Sequence, residues 1–229
     1  MTSVQRVRKP MFVDEPETGL VLADLRRYNL FTSVFFFGRQ RRLLREIASR
    51  SGLRDGEHAL DIGCGPGMLV RIMGRLAGID GSATGVDPSA TAIAYNRGRD
   101  PHHRYLHSAA QELGLPDAAF DVITCTFVMH HIPEQHRRAA LAEMWRVLRP
   151  GGRLLLADAN PSKPFRKVLT WGNRTGRETS DDPFDAVDIR RYAPALRDIG
   201  FTEPEFATGY STGILFCSKP GRVIHNDSA

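Results

Sequence analysis

Apolar and polar residues change rhythm along this chain, and the changes mark its elements. Residues 1–18 keep no regular period and read as a loose N-terminal arm. From Val21 to Arg50 the period is helical, with Leu43, Leu44 and Ile47 in a stripe and arginines opposite. Strand and helix signals then alternate. His58–Ile62 predicts a strand, and Leu69, Ile72, Met73 and Leu76 a helical stripe. Thr84–Val86 predicts a short strand and Ser89 to Asn96 a helix, with Ser89 as its cap. Arg104–Leu106 predicts another strand. Phe120–Phe127, "FDVITCTF", is apolar on both faces, as a buried strand must be. Leu141, Met144, Trp145 and Leu148 predict a helix that stops at Pro150-Gly151, before the buried strand Arg153–Ala157.

After Asn160 the rhythm breaks. Residues 160–188 are rich in Pro, Gly, Asn and charge, too long for a plain connection, with one short apolar helix at Phe165–Trp171. A helix near Tyr192–Ile199 follows, which Pro194 forces to start late or kink. A turn at Gly200 leads to two strand-like runs, Phe201–Ala207 and Gly213–Cys217, read as an antiparallel pair at the sheet edge. Alternation of this kind means crossover units. The expected fold is α/β: a Rossmann-like, doubly wound, seven-stranded sheet, mostly parallel with an antiparallel edge strand, plus N-terminal helices. All 229 residues form one domain in this reading. Residues 1–50 give an arm and helical cap, 51–160 the core, 160–188 an insertion and 189–229 a C-terminal helix with edge strands.

Composition narrows the class without naming it. Hydrophobic content of 41% and charged content of 25% suit an ordinary globular protein. Residues 1–20 lack the long apolar core of a signal peptide, and the patch Phe31 to Phe37 is too short to span a bilayer. The three cysteines, Cys64, Cys125 and Cys217, are scattered, which fits a reduced cytoplasm. A net charge of +5 is mild, and its clusters at Arg6–Lys9 and Arg39–Arg45 read first as solvated surface.

Chemistry concentrates in "ALDIGCGPGML", residues 59–69, where Gly63, Gly65 and Gly67 join a strand to a helix. Glycines there let a backbone approach a ligand where a Cβ would collide. The place, beyond the carboxyl ends of strands, is where open α/β sheets bind ligands. The next strand ends in "GVDPS", with Asp87 twenty residues after Gly67. A carboxylate so placed can accept both hydroxyls of a ribose, so the two features together point to an adenosine-type ligand. Plainer readings stand beside this one: Asp61 as a turn acid and Asp87 as a helix cap.

"LDIGCGPG", "GVDPS", "LPDAAFDVITCTFVMHHI" and "LRPGGRLLLAD", in that order, resemble the class I S-adenosylmethionine-dependent methyltransferases, and within them the ubiquinone/menaquinone-biosynthesis-like (methyltransferase type 11) branch. The likeness covers about residues 55–160. "LRRYNLFTSVFFFGRQRRL" is also similar to a segment of that branch, with Asn29 where the branch has Asp. The resemblance implies a methyl donor, S-adenosyl-L-methionine, released as S-adenosyl-L-homocysteine, and no metal. Gly63, Cys64, Gly65 and Gly67 would wrap it, Asp61 would answer its ammonium and Asp87 its ribose. Pro88 and Ser89 would line the adenine, Thr126 with the strand end would meet the ammonium, and Tyr28 would close the site from the N-terminal segment. Where the family commonly carries an Asp for the adenine amino group, this chain has Ser108, Ala109, Ala110 and Gln111. Backbone of Ala109 and Ala110 with the Gln111 side chain would read adenine instead; Gln111 is otherwise a surface residue.

His130 and His131 follow Phe120–Phe127 directly and face the expected cleft. A neutral imidazole could take a proton from a phenol or enol acceptor, and it could equally brace the loop. His102, His103 and His107 read as exposed or structural. Tyr28, Phe31, Phe35, Phe36 and Phe37, together with Phe165, Trp171 and Phe184, suit either helix packing or a pocket for a planar or lipophilic acceptor. No Asn-Pro-Pro-Tyr-type motif follows the histidine-bearing strand, which argues against nucleobase amino groups. The expected protein is a cytoplasmic methyltransferase, monomer or homodimer. It acts on a small quinone-like, phenolic or other secondary metabolite, at oxygen or carbon. The alternatives are an RNA or protein methyltransferase and a cofactor-binding protein that transfers no methyl group.

Overall fold

Period-two runs in this chain send alternate residues to opposite faces of one sheet, and helices cover both. The structure is a computed structural model describing residues 10–35, 38–160, 187–209 and 212–221. It opens with a hairpin, β1 (Phe12–Glu15) against β2 (Gly19–Leu22), then α1 (Leu25–Phe35) and α2 (Gln40–Arg50). The core runs β3 (His58–Ile62), α3 (Met68–Ala77), β4 (Ser82–Asp87), α4 (Ala90–Arg99), β5 (Arg104–His107) and β6 (Phe120–Thr126). A 3-10 turn, Met129–His131, leads to α5 (Glu134–Val147) and β7 (Leu148–Ala159). A second 3-10 turn, Ile189–Tyr192, precedes α6 (Ala193–Ile199), β8 (Glu205–Gly209) and β9 (Thr212–Ser218).

Seven strands form the main sheet in the order β5-β4-β3-β6-β7-β9-β8. β5, β4, β3, β6 and β7 pair in parallel, while β9 runs against both neighbours. The inverted strand thus lies one in from the edge and β8 is outermost. Leu60, Ile62, Ile123, Cys125, Leu154 and Leu156 face α5 and α6 in one core. Their sequence neighbours Ala59, Val122, Leu155 and Ala157 face α2, α3 and α4 in the other. This period-two division is what a doubly covered sheet requires.

The chain winds outward from β3 to β5 in one direction and from β6 to β7 in the other. The crevice between the carboxyl ends of β3 and β6 is therefore the switch point, the usual ligand position of such sheets.

Some expected boundaries move. Residues 12–22 are a docked hairpin, not part of a loose arm, because "FVDEPETGLVL" sets two β runs about a Pro-Glu-Thr-Gly turn. Val21 and Leu22 belong to that hairpin, so the long helical reading divides into β2, α1 and α2. The Leu148 helix position is instead the first residue of β7, since α5 ends at Val147. Leu76 stands exposed rather than in its stripe. Pro194 sits in the first turn of α6, where its missing N–H costs no helical bond. Phe36, Phe37, Phe165, Trp171 and Phe184, with the expected 165–171 helix, lie outside the described residues.

Candidate functional site

The glycine loop is held at one residue, Gly65, from both sides. Asp87, the last residue of β4, accepts from the Gly65 N–H through Oδ2 at 2.8 Å and from the Ser89 N–H through Oδ1 at 2.8 Å. Asn96 of α4, fully buried, donates Nδ2 to the Gly65 carbonyl at 2.7 Å. Each Asp87 oxygen keeps a lone pair beyond these bonds. Burial pushes its carboxyl above the usual range, while the Ser89 and Gly65 N–H groups pull it back.

The three loop glycines have positive φ, but for different neighbours. A Cβ on Gly63 would stand 2.2 Å from Cγ2 of Val128. One on Gly67 would stand 2.5 Å from Oδ1 of Asn96. At Gly65 a Cβ would meet nothing within 4 Å. Gly65 alone faces open space; its two neighbours are glycine so that the protein can pack on itself. Cys64 turns away too, its buried sulfur 2.8 Å from where a Cβ on Gly85 would stand.

Asp61 lies one layer beneath. It is buried on β3, and Thr124, its register partner on β6, donates Oγ1 to it at 2.8 Å. Burial pushes its carboxyl up to about 7 despite the Thr124 bond, with Asp87 adding to the rise.

The cleft above Asp87 is lined by Tyr28, Gly63, Gly65, Pro88, Ala109, Ala110, Gln111, Thr126 and His131 among the expected residues. Asp61, Cys64, Gly67, Ser89 and His130 support it from outside. The Tyr28 hydroxyl is pushed up to about 12, by burial first and then by Asp87 and Asp61. Gln111 differs from expectation in one respect. It spends its amide on the hairpin, donating Nε2 to the Glu17 carbonyl at 2.6 Å. His107 braces the loop, its Nε2 2.7 Å from the Pro88 carbonyl.

Sequence reasoning missed the hairpin's part in this wall. Phe12, Thr18, Leu20 and Leu22 line the cleft. Ser89 caps α4 by accepting from the Ala92 N–H and donates its hydroxyl to the Leu22 carbonyl, so one side chain ties loop to hairpin. Gly19, at φ +77°, has no room for a Cβ, which would fall 1.9 Å from the His131 carbonyl oxygen. Phe127 was also missed. It lines the cleft at φ +59°, a conformation that costs a bulky residue about 1–3 kcal/mol and that nothing in its type announces.

The two histidines separate. His131 lines the cleft, and Phe12 lies on it at 5.4 Å between ring centres. Burial, with His130 beside it, lowers its imidazole to about 3, so it is neutral at ordinary pH. His130 packs its ring 3.9 Å from that of His131 between centres but does not line the cleft. Its Nδ1 meets Oδ2 of Asp158, at the end of β7, at 2.7 Å. Asp158 was legible only as an acid closing "LLLAD", at the strand end where such sheets work.

Two buried polar atoms of cleft residues, Thr126 Oγ1 and His131 Nδ1, have no partner. With the open Gly65 face and the spare Asp87 lone pairs, they form a polar floor beneath an apolar wall. That floor fits an adenosine bearing a charged tail. Among the described residues no group of three acids, histidines or cysteines could hold a metal, and no helix is long and apolar enough to cross a membrane.

Comparison with known proteins agrees with the geometry. Residues 60–156 match the profile of a methyltransferase domain. The ubiquinone/menaquinone biosynthesis C-methyltransferase UbiE of Pseudoalteromonas translucida is 31% identical over 171 residues, 69% of this chain and 66% of that protein. The demethylmenaquinone methyltransferase of Symbiobacterium thermophilum is 31% identical over 152 residues, 63% of this chain and 59% of that protein. The chain thus spans less than two thirds of these relatives' length. In fold it is similar to an S-adenosylmethionine-dependent methyltransferase from Aquifex aeolicus, with a TM-score of 0.63, 19% identity and coverage of 86% of this chain and 99% of that one. The [4+2]-cyclase SpnF shares the fold at a TM-score of 0.60, 19% identity and coverage of 80% and 81%.

Proposed function

We propose that this chain, whose residues 60–156 match the profile of a methyltransferase domain, transfers a methyl group from S-adenosylmethionine to a small molecule. The bound donor supplies a methyl group already activated on a sulfonium. The protein's share is therefore alignment and exclusion of water.

The observation that carries this reading is the Asp87–Gly65 bond. It fixes the loop while leaving lone pairs on Asp87 aimed at the cleft, where the two ribose hydroxyls would donate. Asp61, buried beneath the loop, answers the donor's ammonium through water, and Thr126 lines the cleft on that side. Pro88, Ala109 and Ala110 flank the adenine. With Gln111 bonded to the hairpin, the adenine amino group is read by backbone rather than by an acid.

The acceptor is a small planar molecule of quinone-like or phenolic kind. The apolar hairpin wall with Ile62, Val128 and Ile132 favours such a shape over a polar macromolecular strand. The relatives named for menaquinone and ubiquinone biosynthesis support the quinol type, and UbiE, named a C-methyltransferase, favours carbon as the methylated atom.

Calorimetry with S-adenosylmethionine, S-adenosylhomocysteine and NAD tests the reading. Heat of binding is expected for the first two and none for the third. Binding of NAD alone would overturn it.

A further inference from the structure

We propose that the outward face of α1, with the start of α2, is a docking surface for an anionic lipid bilayer. The inference goes beyond the methyl-transfer reading and does not depend on it. Among the described residues eight large apolar side chains are exposed, and five of them, Val13, Leu20, Leu30, Phe31 and Val34, fall within residues 13–34. Single apolar residues scattered over a surface are ordinary, so the clustering is what points to a partner. Leu30, Phe31 and Val34 are the most open of the five, at 68%, 50% and 66%.

Helical spacing divides α1 into two sides. Leu25, Tyr28 and Thr32 share one: Leu25 and Thr32 are buried, and Tyr28 lines the cleft. Arg26, Arg27, Leu30 and Val34 share the other, within an arc of about 100°, and all four are exposed. Phe31 stands at the border between them.

The charge around the outward face is positive. α1 contains no acid, and Asp24 before it caps the helix by accepting from the Arg26 and Arg27 N–H groups. Gly38 turns the chain into α2, its N–H donating to the Ser33 carbonyl at 2.8 Å. Beyond the turn Arg39, Arg41, Arg42 and Arg45 are exposed. The one acid of α2, Glu46, is bonded to Arg50 at 2.9 Å. Among the described residues no acid forms an ion pair with Arg26, Arg39, Arg41 or Arg45. Val13 and Leu20, by contrast, share their hairpin with the exposed acids Asp14, Glu15 and Glu17, and so fall outside the face.

Apolar side chains bordered by unpaired arginines fit a surface that offers acyl chains and anionic headgroups together. A second copy would bring like charge against like. At 11 residues α1 is too short to cross a bilayer, so it would lie along the interface. Tyr28 lines the cleft from the same helix, so docking would bring the cleft to the membrane surface.

Flotation of the full chain with phosphatidylcholine vesicles, without and with about 30% phosphatidylglycerol, tests the inference. Partitioning is expected to be about tenfold or more stronger on the anionic vesicles, and to fall by a similar factor between ~0.05 and ~0.5 M salt. Leu30→Ser with Val34→Ser, and separately Arg41→Gln with Arg45→Gln, should each lower it about fivefold or more, with melting temperatures held. Two controls should bind like wild type. Arg75→Gln with Arg104→Gln removes the same charge from α3 and β5, and Ile79→Ser removes an apolar side chain that is 98% exposed. Equal binding of wild type to neutral and anionic vesicles overturns the inference. So does binding by either α1 or α2 variant that matches the controls. A dimer in sedimentation that Leu30→Ser with Val34→Ser dissociates would assign the face to a second copy instead. Donor binding is measured separately by calorimetry, so this inference and the methyl-transfer reading can each fail alone.

Discussion

Asp87 and Gly65, one closing β4 and the other midway between β3 and α3, are joined by a 2.8 Å bond from backbone N–H to carboxylate. The bond makes the acid both a strut of the loop and part of the cleft floor. Asp87→Ala is therefore expected to weaken S-adenosylhomocysteine binding by about tenfold or more and also to cost about 1–3 kcal/mol of stability, because two buried N–H groups lose their acceptor. Calorimetry and urea unfolding measure the two effects. Unaltered affinity would argue against ribose at this position.

The three loop glycines should fail in different ways. Gly65→Ala puts its methyl into open space and should chiefly lower ligand affinity. Gly63→Ala and Gly67→Ala drive a methyl into Val128 or Asn96 and should cost about 1–3 kcal/mol of stability beyond the strain of their positive φ. Paired melting curves and titrations of the three variants separate the cases; equal destabilisation by all three would contradict the assignment.

Asp61 makes stability depend on pH near neutrality. Its folded carboxyl is raised to about 7, above its unfolded value, so its contribution is complete in acid and is lost as pH rises through 7. Asp61→Asn should flatten the fall in wild-type unfolding free energy between about pH 4 and 7. A ligand ammonium favours the ionised form, so donor binding at pH 6.5 should release a proton, read by calorimetry in buffers of different ionisation heat. Proton uptake instead would be the wrong sign.

His131 acts in the opposite direction. Its folded imidazole is lowered to about 3, so below pH 6.5 the unfolded chain takes up a proton that the folded chain refuses. Stability is thus expected to drop from pH 6.5 towards 3, and His131→Phe should blunt that drop. Acid unfolding curves that superimpose would rule this out.

Gly19→Ala should release the hairpin without unfolding the sheet, since its Cβ would collide with the His131 carbonyl oxygen. Faster proteolysis within residues 10–22, weaker donor binding and a nearly unchanged melting temperature are the expected results. Loss of the whole fold would mean that the hairpin is part of the main cooperative unit.

Local pattern determined most of the architecture. Strand β3 from His58 to Ile62 and the cap at Ser89 follow from residue type and spacing within a few positions, which is the range over which periodicity and capping act. The glycine loop and Asp87 were equally legible, because a strand–turn–helix unit places them by covalent connection. The hairpin at 12–22 was readable in principle but obscured by its polar turn and its small buried face. What tertiary structure alone decided is which distant groups meet. Asp158 reaches His130 across 28 residues because β7 lies beside β6. Val128 and Asn96, not a ligand, claim the space at Gly63 and Gly67. His131 is neutral because its ring is buried at the cleft with His130 beside it. Sequence spacing fixes neither strand order nor the direction a side chain takes beyond its strand, and burial and electrostatics follow from both.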